Sequence, residues 1–379
     1  MELIIGILIG LFVLVVLVVL HELGHAIAAR RNGVVVEEFG IGFPPKAWGV
    51  KLKNGVLFSL NWLPLGGFVK LKGEHDAADR QGDYGAATFW QKTKILLAGV
   101  LVNWVIAAVL LSGLALAGLP KIVPNQFSIP SDTTIVREPV QIVTTVTDYP
   151  AATAGFESGD QIVSVDGEAV ASTDEFINTT VAHRGETVPI VYERDGQQQT
   201  ALVSLRDEDS AVFGATLGQS EAIKATWSAP IVGVVTTGQF TWVTLQGLGE
   251  LIGNFFGGLF MQLSTNESVR EQGSASVDAA SQSVAGPIGI LGTIFPAAGQ
   301  GGLTDIIFLT AIISLTLAVM NTLPIPALDG GSWFLMVLFR LLRKPLTKDL
   351  EEKIKGTGFL ILMGLIVLVS IGDVAKLLG

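Results

Sequence analysis

Two histidines four residues apart, His21 and His25, with Glu22 between them, are the residues of this chain best suited to chemistry. On an α-helix that spacing puts both imidazoles on one face, one turn apart. Two neutral imidazoles so placed supply two ligands for zinc. The glutamate beside them can take a proton from water at that metal, which is the logic of H-E-x-x-H. The motif follows eighteen consecutive apolar or glycine residues, Leu3 to Leu20, and precedes Ala26-Ile27-Ala28-Ala29. Polar groups at the end of a membrane-length helix are costly, so three together there call for a use. A plain helix end with its polar residues at the headgroups competes with this reading until a third ligand is found.

Cysteine is absent, which excludes disulfides, thiolate metal sites and a cysteine nucleophile. Histidine occurs four times, at positions 21, 25, 75 and 183. A third protein ligand is therefore one of two remote histidines or a carboxylate. The best-placed carboxylate is Asp329, in Asn321-Thr322-Leu323-Pro324-Ile325-Pro326-Ala327-Leu328-Asp329-Gly330-Gly331. Pro324 and Pro326 stop a helix that starts near Ile306, and the two glycines allow close backbone approach. At 1.5 Å per residue, Ile306–Asn321 spans about 24 Å and the run before His21 about 27 Å, so both ends reach a similar depth. A lone aspartate there would be an uncompensated buried charge. Beside two histidines it completes an open three-ligand set with a position left for water. His75, in the hydrophilic Gly73-Glu74-His75-Asp76 loop, is the second candidate.

These residues must be positioned by membrane helices. Of the 379 residues, 49% are hydrophobic and 15% charged, the balance of a membrane protein with some soluble mass attached. Four segments qualify as spans: roughly 3–28, one within Ile95–Pro120, Ile306 towards Leu328, and roughly Gly356–Gly372. The first lacks a basic n-region and a small-residue cleavage site, and is expected to be retained. Net charge is −10, unevenly spread: residues 30–94 hold ten Lys/Arg and 340–355 six, whereas 125–220 hold fifteen Asp/Glu against four Arg. The positive-inside rule puts the two basic regions in the cytoplasm, with the acidic region and both termini outside. The expected home is a plasma (inner) membrane. Nothing in the charge pattern suggests nucleic acid.

Between the first two spans, Asn54-Gly55 separates two β-prone runs and predicts a hairpin, with Leu63-Pro64-Leu65-Gly66-Gly67-Phe68-Val69-Lys70 as a further turn and strand. Its apolar strands fit two placements equally: dipping into the membrane within protein, or lying on the headgroups. Residues ~125–220 read as one β-rich domain, with strands at Val140–Val146, Gln161–Val165, Val188–Tyr192 and Thr200–Leu205. A capping box, Ser172-Thr173-Asp174-Glu175, opens a helix ending near Gly185. Ser228–Leu263 carries only Glu250 as a charge, yet one more crossing would deliver Asp329 to the wrong face. An amphipathic segment lying along the outer surface is expected instead, followed by a polar mobile loop over Ser264–Ser283.

These stretches together resemble the site-2 proteases, and most of all the bacterial regulator-of-sigma-E protease branch. His21–His25 in a first span, Leu65–Lys70, and Asn321 through Pro324, Pro326 and Leu328-Asp329-Gly330-Gly331 carry the resemblance. Tyr149-Pro150-Ala151, Ala154-Gly155-Phe156 and Gly159 through Gly167 are similar to bacterial PDZ domains, and Gly286-Pro287-Ile288-Gly289-Ile290 matches a stretch before the third span in that branch. The resemblance implies a multi-pass α-helical membrane protein of four spans with a membrane-associated β-hairpin loop and one inserted extracytoplasmic PDZ domain. Its expected divisions are 1–120 and 304–379 for the membrane core, 121–222 for the PDZ domain and 223–303 for an amphipathic linker.

By the same likeness the chain is an intramembrane zinc endopeptidase. It would cut transmembrane segments of single-span proteins such as anti-sigma factors or signal-peptide remnants. His21, His25 and Asp329 would bind one Zn2+, and Glu22 would be the base. Asn321, Pro324, Phe58, Asn61 and Asn103 would contact substrate, the last with an interhelical hydrogen bond as its alternative. Membrane lipid and a peptide ligand of the PDZ domain are the other expected partners. The likeness tips the hairpin towards re-entrance. Two departures stand out: Ser332 replaces a histidine many members carry, and there is room for a single PDZ domain where several relatives have two. A scaffold with a closed structural zinc site and a zinc transporter are the rival classes. Three candidate ligands favour an open catalytic site, and spans two and four lack a transporter's acidic or histidine residues.

Overall fold

The computed structural model describes residues 2–75, 78–207 and 211–378, so Asp76 of the His75 loop lies outside it. The chain forms two compact units, one of residues 1–113 with 233–379, the other of 114–232. Helix α1 (Glu2–Arg31) carries the histidines, and α2 (Phe89–Ala117) returns. Between them run β1 (Val36–Lys51) and β2 (Leu57–Leu71), joined at Asn54-Gly55 as expected. Gly55 takes a positive φ of 88°, and Asn54 Oδ1 accepts from Val56 N.

Both strands are long and bent. Residues 36–41 pair with 67–71 on one side and 57–60 on the other, and 46–51 then pair back onto 57–61. The bend falls at Gly42, φ +78°, where the Asn61 side-chain amide donates to the Ile41 and Gly42 carbonyls. One face of this sheet closes on the membrane helices: Val36, Val69 and Leu71 are buried with Ala26, Ala29 and Ile95. Small residues at 26 and 29 let the strands approach α1.

The second unit opens with β3 (Leu119–Pro120) and β4 (Thr134–Arg137), followed by β5 (Val140–Thr145) and the short α3 (Pro150–Thr153). Next come β6 (Gln161–Val165), β7 (Glu168–Ala169), α4 (Thr173–Ala182), β8 (Thr187–Arg194) and β9 (Gln197–Ser204). It ends with β10 (Ala215–Gly218) and β11 (Glu221–Lys224). One sheet has the order β10-β5-β6-β8-β9, with β7 on β6, and the other is β3-β11-β4. Alternating apolar residues make the core, where Phe176 packs edge-on to Phe213 and Phe213 to Phe156. The capping box forms: Ser172 Oγ accepts from Glu175 N, and Glu175 reaches back to Ala171 N. Asp160, with its side chain 1% exposed, is held by two Arg194 nitrogens at 2.6 and 2.7 Å.

Helix α5 (Ala229–Gln262) is continuous, and its first turns lie alongside α2. Gly233 abuts Ser112, and Trp104 Nε1, halfway along α2, donates to Thr241 Oγ1. Its threonines are internally satisfied, because Thr237, Thr241 and Thr244 each donate to the carbonyl four residues back. The expected mobile loop over Ser264–Ser283 is instead mostly α6 (Glu267–Gln282), capped by Asn266 and packed through Gly273 against Gly258. Then follow α7 (Pro287–Gly289), a π-helical turn over Ile290–Ile294, α8 (Phe295–Gln300), α9 (Leu303–Met320), α10 (Asp329–Leu341) and α11 (Lys348–Leu378). Asp373 of α11 accepts from the Gly286 and Gly289 amides, seating the Gly-Pro-Ile-Gly stretch on the last helix. Four described helices, α1, α2, α9 and α11, are long and apolar enough to cross a membrane.

Burial works against the Asp160 charge, but the Arg194 guanidinium and the Glu157 amide hold its carboxyl below the ordinary value. Its stabilisation is present at neutral pH and is lost only as pH falls through that lowered value. Arg194→Met leaves a buried carboxylate unpaired and is expected to destabilise this unit by about 3 kcal/mol. Hydrogen exchange over 140–204 in the full chain should then quicken; unchanged protection would show that the pair contributes nothing.

Candidate metal centre

Three elements far apart in sequence meet at His21. α1 presents His21 and His25 one turn apart, 7% and 8% exposed. α9 ends at Met320, the prolines prevent its continuation, and residues 321–328 turn back so that α10 begins at Asp329. The turn is closed by Gly330 N donating to Asn321 O at 2.7 Å. Any Cβ at 330 would strike the Thr322 carbonyl, and one at 331 the Ile325 carbonyl, so both glycines are required for this approach. At the first residue of α10, the Asp329 carboxylate sits where the helix dipole favours an anion.

The three donor atoms are nearly equidistant. His21 Nε2 lies 3.1 Å from His25 Nε2 and 3.1 Å from Asp329 Oδ2, and His25 Nε2 is 3.2 Å from the same oxygen. A tetrahedron with metal–ligand bonds of 2.0–2.1 Å has an edge of about 3.3 Å. The residues present therefore fit a zinc ion with three protein ligands and one open position. Among the described residues they are the one such group of three. His75 stands outside it, and His183 lies beside Asp166 and Glu186 in the other unit.

One face of α2 backs both rings. His25 Nδ1 donates to the Ile95 carbonyl at 2.7 Å, which fixes the proton there and leaves Nε2 free to ligate. Gly99 faces the histidines so closely that a Cβ would run into His25 Nε2 and His21 Cε1. Asn103 follows, its Nδ2 3.3 Å from His21 Nδ1. Sequence reasoning missed Ile95 and Gly99. The available signal was the Gly99/Asn103 spacing of four within an otherwise apolar helix, the mark of a close helix contact.

Glu22 and Asp329 line a cavity of about 500 Å³ with Phe68, Glu74 and Lys355. Glu74 and Lys355 were not foreseen, since no motif contains them. Lys355 pairs with Glu351 at 2.7 Å, and burial pushes the Glu74 carboxyl above its ordinary value. Among the described strands segment 67–71 pairs only with 36–41, Leu71 N donates to Glu74 Oε2 at 3.2 Å, and Phe68, Val69 and Leu71 form part of the cavity wall. The residues expected to touch substrate are more scattered. Phe58 stacks on Phe39 and meets Trp48 edge-on, Asn61 ties the hairpin bend, and the Asn321 amide donates to Leu317 O of its own helix. Neither these three nor Pro324 is part of the cavity wall.

The chain is similar in sequence to known proteins over nearly its whole length. The model of peptidase family M50 matches residues 9–365. A protein of Clostridium perfringens that bears a zinc-metalloprotease name is 31% identical, over 94% of this chain and 95% of its own length. The regulator of sigma-W protease RasP of Bacillus subtilis is 24% identical over 95% of this chain and 96% of its own. The crystal structure of the PDZ domain of an SdrC-like protein from Listeria monocytogenes is 31% identical, covering 21% of this chain and 86% of that one, with a TM-score of 0.19.

Asp329→Ala and His25→Ala should each strip the purified protein of the zinc that the wild type holds, read by elemental analysis. Full zinc content in Asp329→Ala would exclude the aspartate as a ligand.

Proposed function

Because the chain belongs to peptidase family M50 and is a zinc metalloprotease of the site-2 type, we propose that it cuts peptide bonds inside the transmembrane segments of single-span proteins. Anti-sigma factors and signal-peptide remnants are the substrate classes we favour. The Bacillus subtilis relative, named for regulation of a sigma factor, supports the first of these. The observation that carries the reading is the shared cavity: Glu22 and Asp329 face the same space as the β2 segment Phe68–Leu71.

Chemistry in this setting has to overcome the helical state of the target. A helix in lipid hides its carbonyls in its own hydrogen bonds, so the substrate must unwind before it can be cut. Pairing with the open edge of 67–71 replaces the lost backbone bonds, which is β-augmentation. Zinc, once bound by His21, His25 and Asp329, supplies Lewis acidity towards carbonyl and water oxygens. Glu22 accepts the proton given up by the attacking water and delivers it to the departing amide nitrogen. Asn321 and Pro324 hold the turn that delivers Asp329, and through it the approach of substrate. By the positive-inside rule the site lies towards the cytoplasm and the PDZ unit outside, in a plasma (inner) membrane. There the edge strand β10 offers an extended peptide a place to pair, with the peptide supplied by the substrate or by a newly cut C-terminus.

Glu22→Gln tests the base directly. Zinc content should survive while cleavage of a co-expressed single-span substrate, read by fragment size, disappears; persistent cleavage would remove Glu22 from the mechanism. Deleting residues 125–220 should lower cleavage of natural substrates. A gain of promiscuous cleavage would instead make that domain a lid.

A further inference from the structure

We propose that Asn103 sets the tautomer of His21, its side-chain oxygen accepting the Nδ1 proton so that the Nε2 lone pair is turned towards the metal. The role is a positioning one, and it rests on the metal centre described above. Ligation through Nε2 leaves a neutral imidazole with a single proton, on Nδ1, and a buried N–H needs an acceptor. His25 has one in the Ile95 carbonyl. Among the described contacts of His21 Nδ1, the polar partner is the Asn103 amide.

The amide stands with Nδ2 towards the ring, while its buried Oδ1 meets no hydrogen-bond donor. With His21 ligating, two donors would face each other across 3.3 Å and an acceptor would go unused. A half-turn of the amide resolves the contact, placing Oδ1 against the Nδ1 proton at the same separation. The surroundings suit a fixed support. Asn103 is 1% exposed, and Ser314 Oγ of α9 donates to its backbone carbonyl at 2.8 Å. Ile95, Gly99 and Asn103 lie four apart along α2, so one helix face supplies a proton acceptor to each histidine with a gap for the rings between them. Of the two sequence readings of Asn103, this favours the interhelical contact, because a side chain so enclosed behind His21 offers substrate no surface.

Zinc affinity of the full-length protein in detergent, measured by competition with a chelator, separates the possibilities. Asn103→Leu keeps the volume but removes the acceptor and should weaken zinc binding about 10- to 100-fold. Asn103→Asp keeps an acceptor in place and should stay within a few-fold of wild type. The thermal midpoints of the zinc-free proteins show whether each variant folds; should the leucine variant fail, Asn103→Ala takes its place under the same criterion. Wild-type affinity in the acceptor-free variant, or a loss in Asn103→Asp as large as in that variant, overturns the proposal. Absence of zinc binding in the wild type would overturn the metal centre itself, which is a different result.

Discussion

Three electron-rich atoms about 3 Å apart in a low-dielectric interior repel one another unless a cation or a shared proton lies among them. That constraint organises the membrane unit. His21, His25 and Asp329 are brought together by α1, α2, the end of α9 and the start of α10, and the last three each give up something to allow it. α2 keeps a glycine where the rings press against it, and α10 keeps two where the proline turn folds over. α9 stops in mid-course so that a carboxylate can reach the site from a helix N-terminus.

The cavity beside this centre joins unlike materials. One wall is helical and carries Glu22 and Asp329; another is the edge segment 67–71, which among the described strands is paired on one side only, with Leu71 N at its end bonded to Glu74. An unpaired strand edge is a liability on a soluble protein and is ordinarily blunted. Here the free edge runs beside the group that would perform hydrolysis, where pairing with an unwound chain is of use. Glu74 and Lys355 add polar groups to the same space from a loop and from the last helix.

Local patterns were read well where the physics is local. The hairpin turn at Asn54-Gly55, the capping box at Ser172–Glu175 and the break at Pro324 each depend on residues within a few positions. Reading failed where polarity was taken as exposure. Ser276 and Ser281 look hydrophilic, yet each donates to a carbonyl four residues back and leaves its helix free to pack. Thus a stretch taken for a mobile loop is the helix α6. Asn61, expected among the substrate contacts, donates its amide to the carbonyls at the bend.

The sequence by itself determined the ligand types, the one-face placement of the two histidines, the four spans and the β-rich insert, because helix periodicity and hydropathy are properties of neighbouring residues. Tertiary structure alone decided that Ile95, Gly99 and Asn103 back the imidazoles, and that Glu74 and Lys355 share the cavity with Glu22. Those pairings join residues 52 to 333 positions apart. No local preference encodes them; they follow from which helix faces pack and from the need of each buried N–H and carboxylate for a partner.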